Sequence, residues 1–201
     1  MAPYGHAPAR WGILGRMPGH RTLRRAIALG ACSLLLRVTL AAAPPAEDPA
    51  LVPIGQKLPD VAMAGLNGPQ RHLSAYRGRA LIINVWASWC GPCRSESASL
   101  ERLAWGEAGS RFVVIGISTD DDRYAALEWL HQSNATLDHY IDSRQVLERM
   151  LGASHIPLTV LVDAGGRVIA RFPGARLWDS PESVQLIQRA FAQARATPAA
   201  R

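Results

Sequence analysis

Three apolar runs, ALIINVW (80–86), RFVVIGI (111–117) and LTVLVD (158–163), constrain the fold of this 201-residue chain more than any other feature. None alternates polar with apolar residues, so each predicts a strand buried on both faces, and such a sheet needs helices on both sides. Between the first two runs, SESASLERLAWG (95–106) sets Leu100, Leu103 and Ala104 at helical spacing. Strand, helix and strand within about thirty-five residues make a βαβ crossover, expected to be right-handed.

The later pattern fills in the fold. DDDRYAALEWLHQSN (120–134) predicts an inserted helix, with acids at its N-terminus and Tyr124, Leu127 and Leu130 along one face. LDHYID (137–142) reads as a short strand and RQVLERML (144–151) as a short helix. Ala164-Gly165-Gly166 joins LTVLVD to RVIARF (167–172) in a hairpin. Pro181 opens the last helix, which turns Val184, Ile187 and Phe191 inward. The expected class is α/β: a central mixed sheet, parallel core plus antiparallel hairpin, flanked by helices, with a helical insertion after the second core strand.

Charge narrows the function classes once it is counted by segment. The chain has 22 basic and 16 acidic residues. Residues 1–43 hold six arginines and no acid, so residues 44–201 carry 16 basic against 16 acidic groups. That balance leaves no basic face for nucleic acid to meet.

The N-terminal segment reads as an export signal. Arg24 and Arg25 precede the apolar stretch AIALGACSLLL (26–36), and Ala41, Ala42 and Ala43 follow. Cleavage near these alanines and retention as a membrane anchor both fit, because residues 26–43 barely reach the ~20 apolar residues of a spanning helix. Met17 would start a conventional signal, LGAC (29–32) resembles a lipoprotein box, and the arginine pair admits the twin-arginine route. The expected organisation is a signal or anchor over 1–43, a linker over 44–52 (PPAEDPA lies at 44–50), one domain over 53–196 and a flexible tail over 197–201.

Only three cysteines are present, Cys32, Cys90 and Cys93, too few for a disulfide scaffold. A structural zinc site takes four ligands, and the six histidines are scattered, so neither a metal nor a cofactor is expected. Cys90 falls just after a buried strand and Pro92 just inside a helix, and a helix N-terminus stabilises a thiolate. The spacing implies a redox pair: Cys90, at the exposed helix end, attacks a substrate disulfide, and Cys93, one turn inside, resolves the mixed disulfide. Glu96, three residues on, can share a helix face with Cys93 and take its proton, or it can be an ordinary helix-dipole acid. Trp86 and Trp89 read as packing and shielding groups, and Asn84, within an apolar strand, needs a hydrogen-bond partner.

NVWASWCGPCRSE (84–96) resembles the active-site segment of thioredoxin-like proteins, and more closely that of the TlpA/ResA-like family of exported, often membrane-tethered thiol:disulfide oxidoreductases. HLSAYRGRALIINVW before it, IPLTVLVDAGGRVIARFPG after it and the opening PIGQKLPDVAMAGLNG extend the likeness over about residues 53–195. The resemblance implies a thioredoxin-like fold, a functional Glu96, and a cis-proline at Pro157 opposite the cysteines, with Ile156 offering its backbone to a bound peptide. Trp89, Gly91 and Pro92 would share that substrate surface. Two positions depart from the family pattern: Ala98 stands where a proline is usual, altering helix curvature, and Leu158 replaces a threonine at the substrate surface.

The implied activity is reduction of disulfides in exported proteins, such as haem-attachment cysteines or metal-site thiols, at the outer face of the membrane, and the balanced charge and single set of core signals after residue 43 predict a monomer. The Gly-Pro dipeptide, shared with thioredoxin, favours reduction. A membrane thiol transporter would supply electrons, since the chain has no second redox centre. Two other readings stay open. A thiol peroxidase usually carries Pro and Thr upstream of a lone cysteine, where this chain has Trp86, Ala87, Ser88 and Trp89. A copper carrier would use Cys90, Cys93 and a histidine such as His155, since thiolates suit Cu(I).

Overall fold

The computed structural model describes residues 50–196. The export signal, Cys32, the start at Met17, most of the linker and the tail therefore lie outside the described residues. Seven strands form one sheet in the order β2-β1-β5-β4-β3-β6-β7. In chain order these are β1 (Ala62–Gly65), β2 (Arg71–His72), β3 (Ala80–Trp86), β4 (Phe112–Ser118), β5 (Asp138–Ile141), β6 (Leu158–Val162) and β7 (Val168–Pro173). The helices are α1 (Gly91–Trp105), α2 (Arg123–Gln132), α3 (Val146–Leu151) and α4 (Pro181–Ala196). None of them is long and apolar enough to cross a membrane.

The parallel core is β3, β4 and β5. β6 runs antiparallel to β3, and β7 antiparallel to β6, closing the expected hairpin at Ala164–Gly166. At the other edge β1 pairs antiparallel with β5 and with β2, an extension that the sequence reading lacked. The inserted segment thus brings a sheet strand as well as helices.

The alternation of side chains along β3 explains its uninterrupted apolar run. Leu81, Ile83 and Val85 enter one core cluster with Met63, Tyr140, Leu147, Met150, Val160 and Val162. Ile82 faces the other way, toward Leu100, Leu103, Leu161, Trp178 and Ile187. Asn84 and Trp86 share the face of Ile82, and β4 and β6 add Gly116, Ser118 and Thr159 on the parity of Val114 and Leu161. This face therefore carries a short polar stripe above an apolar floor, and it lies beneath the N-terminal half of α1.

Two readings of the insertion need correction. Tyr124 is exposed; the buried face of α2 is Ala126, Trp129 and Leu130. The three acids also divide: Asp122 caps α2 by accepting from Tyr124 N–H at 2.8 Å, whereas Asp120 is buried and turned toward Ser88 and Ser118. A run of like charges gives no sign from sequence that one member points inward.

Candidate active site

α1 begins at Gly91 because Pro92 fits its first turn and Cys90 serves as the N-cap, its sulfur 3.2 Å from the N–H of Cys93. The first turn holds no acidic residue, so the positive end of the helix is left to the sulfur. Cys90 and Cys93 are joined in a disulfide, with their Cα atoms 5.3 Å apart. Gly106 closes the helix, donating its N–H to Arg102 O at 2.9 Å.

The loop that delivers Cys90 is pinned from β4. Asp120 accepts from Ser88 N at 2.9 Å, Ser88 Oγ at 2.7 Å and Ser118 Oγ at 2.6 Å. Thr119 N–H adds a bond to Trp86 O, and Cys90 N–H one to Ala87 O. Residues 86–90 are thereby fixed on both sides of Trp89. Trp89 itself is 72% exposed, so it is a surface group and not the packing residue expected from sequence. The cysteines differ little in exposure, 4% for Cys90 and 2% for Cys93, which corrects the expectation of an exposed first cysteine. Exposed Trp89, Gly91 and Pro92 form the rim around them.

Ile156 packs, half-buried, against the cluster that holds Cys90, Cys93, Trp86, Ala126 and Trp129. The Ile156–Pro157 peptide is cis, Pro157 is buried, and Pro157 O accepts from Gly174 N–H. The fold thus brings the segment before β6 to the redox pair across more than sixty residues. His155 is exposed, with its Nδ1 3.3 Å from Ser154 Oγ.

Glu96 is buried in the second turn of α1, with every contact a donor. Asn84 Nδ2 donates to Oε1 at 2.8 Å, and Arg176 N and Trp178 Nε1 donate to Oε2 at 3.0 Å each. Burial pushes its pKa above the usual carboxylate value, while the bonds from Asn84, Trp178 and Arg176 pull it back. This is not the environment of a surface acid that only answers a helix dipole. Asn84 finds its partner here and donates also to Thr159 Oγ1 at 3.1 Å. Ser99, one turn further, accepts from Trp178 N–H at 3.0 Å, so the segment after β7 is docked on α1 at two points. Asp120, Arg176 and Trp178 were missed from sequence because their roles depend on contacts far along the chain.

Comparison with known proteins agrees with this geometry. The model of the AhpC/TSA family matches residues 54–171. The chain is 34% identical over 133 residues to the thiol:disulfide interchange protein DsbE of Pseudomonas aeruginosa, covering 65% of this chain and 71% of that one. It is 24% identical over 117 residues to the thiol-disulfide oxidoreductase ResA of Geobacillus thermodenitrificans, covering 58% and 67%. A crystal structure described as a DsbE thiol:disulfide interchange protein from Chlorobium tepidum superposes with a TM-score of 0.62 at 26% identity, over 71% of this chain and 98% of that one. The chain belongs to the AhpC/TSA family and, within it, is a TlpA/ResA-like thiol-disulfide oxidoreductase of thioredoxin-like fold.

Proposed function

We propose that this oxidoreductase reduces disulfides of exported proteins, with Cys90 as the attacking thiolate and Cys93 as the resolving thiol. The observation that carries this reading is the position of the Cys90–Cys93 disulfide at the start of α1, with its first turn free of acids. Cys90 thiolate attacks one sulfur of the substrate disulfide and releases the other as a thiolate. Cys93 then gives its proton to Glu96 and attacks Cys90, which frees the second substrate thiolate and leaves the disulfide seen here. The substrate gains two electrons, and the protein's dithiol is oxidised.

Trp89, Gly91, Pro92 and the backbone of Ile156 and Pro157 form the surface on which the peptide around the disulfide rests. The rim is exposed while both sulfurs are nearly covered, so a substrate that brings its disulfide over the rim excludes water as it reacts. The relatives named for disulfide interchange support substrates that are themselves proteins. The signal-like pattern over 1–43 supports an exported chain, either cleaved or anchored, acting on the outer face of the membrane in cytochrome c maturation or metal-site assembly. In that oxidising compartment Cys90 and Cys93 need re-reduction, which a membrane thiol transporter would supply.

The reduction potential of the Cys90–Cys93 couple tests this reading. A reductant with a Gly-Pro dipeptide is expected near thioredoxin's value of about −270 mV. A value near −120 mV, that of a strong periplasmic oxidant, would reverse the proposed direction.

A further inference from the structure

Two buried side-chain atoms among the described residues have no hydrogen-bond partner, Trp86 Nε1 and His139 Nδ1. Both residues line one cavity of ≈ 30 Å³ behind the redox pair, and Cys93, Asn84 and Gly116 form part of the same wall. A Cβ added at Gly116 would lie 2.1 Å from His139 Nδ1 and 2.9 Å from Trp86 Nε1. The two nitrogens therefore converge on one point and stand at most about 5 Å apart, within the span of a bridging water.

The chemistry of the two atoms is complementary. The indole N–H can only donate. His139 is 8% exposed, and burial holds its pKa down to about 4 against the opposing fields of Glu101 and Asp138. Its ring is neutral at neutral pH and, in the tautomer with its proton on Nε2, offers Nδ1 as an acceptor. A donor and an acceptor at the wall of a cavity of this size, which Asn84, Ser97 and Ser133 also line among apolar side chains, are what an internal water needs. Such a water accepts from Trp86, donates to His139 Nδ1, and keeps one O–H for the third wall, where Cys93 lies.

We propose that this cavity holds an ordered water between Trp86 Nε1 and His139 Nδ1, and that His139 is a positioning residue that aims the water's free O–H at the Cys93 sulfur once the disulfide opens. A hydrogen bond donated to that sulfur favours its thiolate, the form that attacks Cys90. The contact is separate from Glu96, which draws its donors from Asn84 and the 176–178 segment. The inference rests on the reading of Cys93 as the resolving thiol.

The test uses the full chain and two variants. His139→Asn keeps an acceptor oxygen close to the place of Nδ1, and His139→Leu removes it. In the ¹⁵N-labelled oxidised protein, a rotating-frame NOE from water to the Trp86 indole proton is expected in wild type and His139→Asn and absent in His139→Leu. In the reduced protein, Cys93 is expected to bind its proton about tenfold more tightly in His139→Leu, with His139→Asn restoring the wild-type titration. Glu101, which lines the cavity, Asp138, whose field also reaches His139, and Glu96 are common to all three proteins. The inference is overturned by absence of the water signal at Trp86 in wild type, a measurement that needs no variant. It is overturned equally by a folded His139→Leu protein with an unshifted Cys93 titration. Trapping of substrate by Cys93→Ser without a water signal would remove this inference alone, whereas a water signal without trapping would remove the functional reading beneath it.

Discussion

Glu96 and Asp120 show how a buried acid can be held by donors that come from distant parts of the chain. Asn84, Arg176 and Trp178 reach Glu96 from β3 and from the segment after β7, 12, 80 and 82 residues away. Sequence placed Glu96 on the helix beside Cys93 and flagged Asn84 as needing a partner, but separations of that size leave no local signal for the other two. Because burial raises the pKa of Glu96, the folded state holds its proton more tightly than the unfolded chain. The resulting stability is fully present below the unfolded value and is lost as pH rises through the raised folded value. Glu96→Gln is therefore expected to fold, to lack that loss in urea titrations taken upward from the usual carboxylate range, and to slow resolution without slowing the first attack. Stopped-flow exchange rates matching wild type from pH 6 to 9 would make Glu96 a purely structural group. Asp120 gives a second test. Asp120→Ala leaves Ser88 N–H and two hydroxyls without their acceptor, so a loss of about 1–3 kcal/mol is expected in denaturant unfolding. It should also slow attack by Cys90, since the loop carrying it is released.

At the scale of elements, the legible strands are the three whose apolar runs meet both faces of the sheet, together with β5 and β7, expected over 137–142 and 167–172. β3 matches its predicted limits, and β4 and β6 differ from theirs by a residue at the ends. β1 and β2 were not legible: AMAG buries only Met63, and Arg71 and His72 are both exposed, so neither leaves an apolar signature. In α2 the exposed Tyr124 imitated a core residue, because an aromatic ring in a helical pattern does not say whether its face meets the sheet. The division of β3 into two faces predicts that stability and chemistry separate there. Ile83 is fully buried on the face away from Asn84 and Trp86. Ile83→Ala is expected to cost about 2–5 kcal/mol in unfolding free energy while leaving the Cys90–Cys93 potential unchanged. A shifted potential in the folded variant would mean that the two faces are coupled.

Across the whole molecule, the family likeness and the charge balance limit what can meet the redox pair. Residues 44–201 carry equal numbers of basic and acidic groups, so net charge supplies no long-range pull on a partner. The reaction class was legible from the CGPC spacing between a strand and a helix, while the covered state of both sulfurs became apparent only when Trp86, Ala126, Trp129 and Ile156 were brought around them. The proposed division between Cys90 and Cys93 is tested most directly by substituting each in turn and collecting disulfide-linked partners. Cys93→Ser leaves the attacking thiolate but nothing to displace the substrate, so a mixed disulfide should accumulate, run as a higher-mass species on non-reducing gels and disappear with reductant. Cys90→Ser should accumulate none. Equal trapping by the two variants, or no trapping by either while the wild-type protein reduces disulfides, would contradict the assignment of Cys90 as the attacking residue.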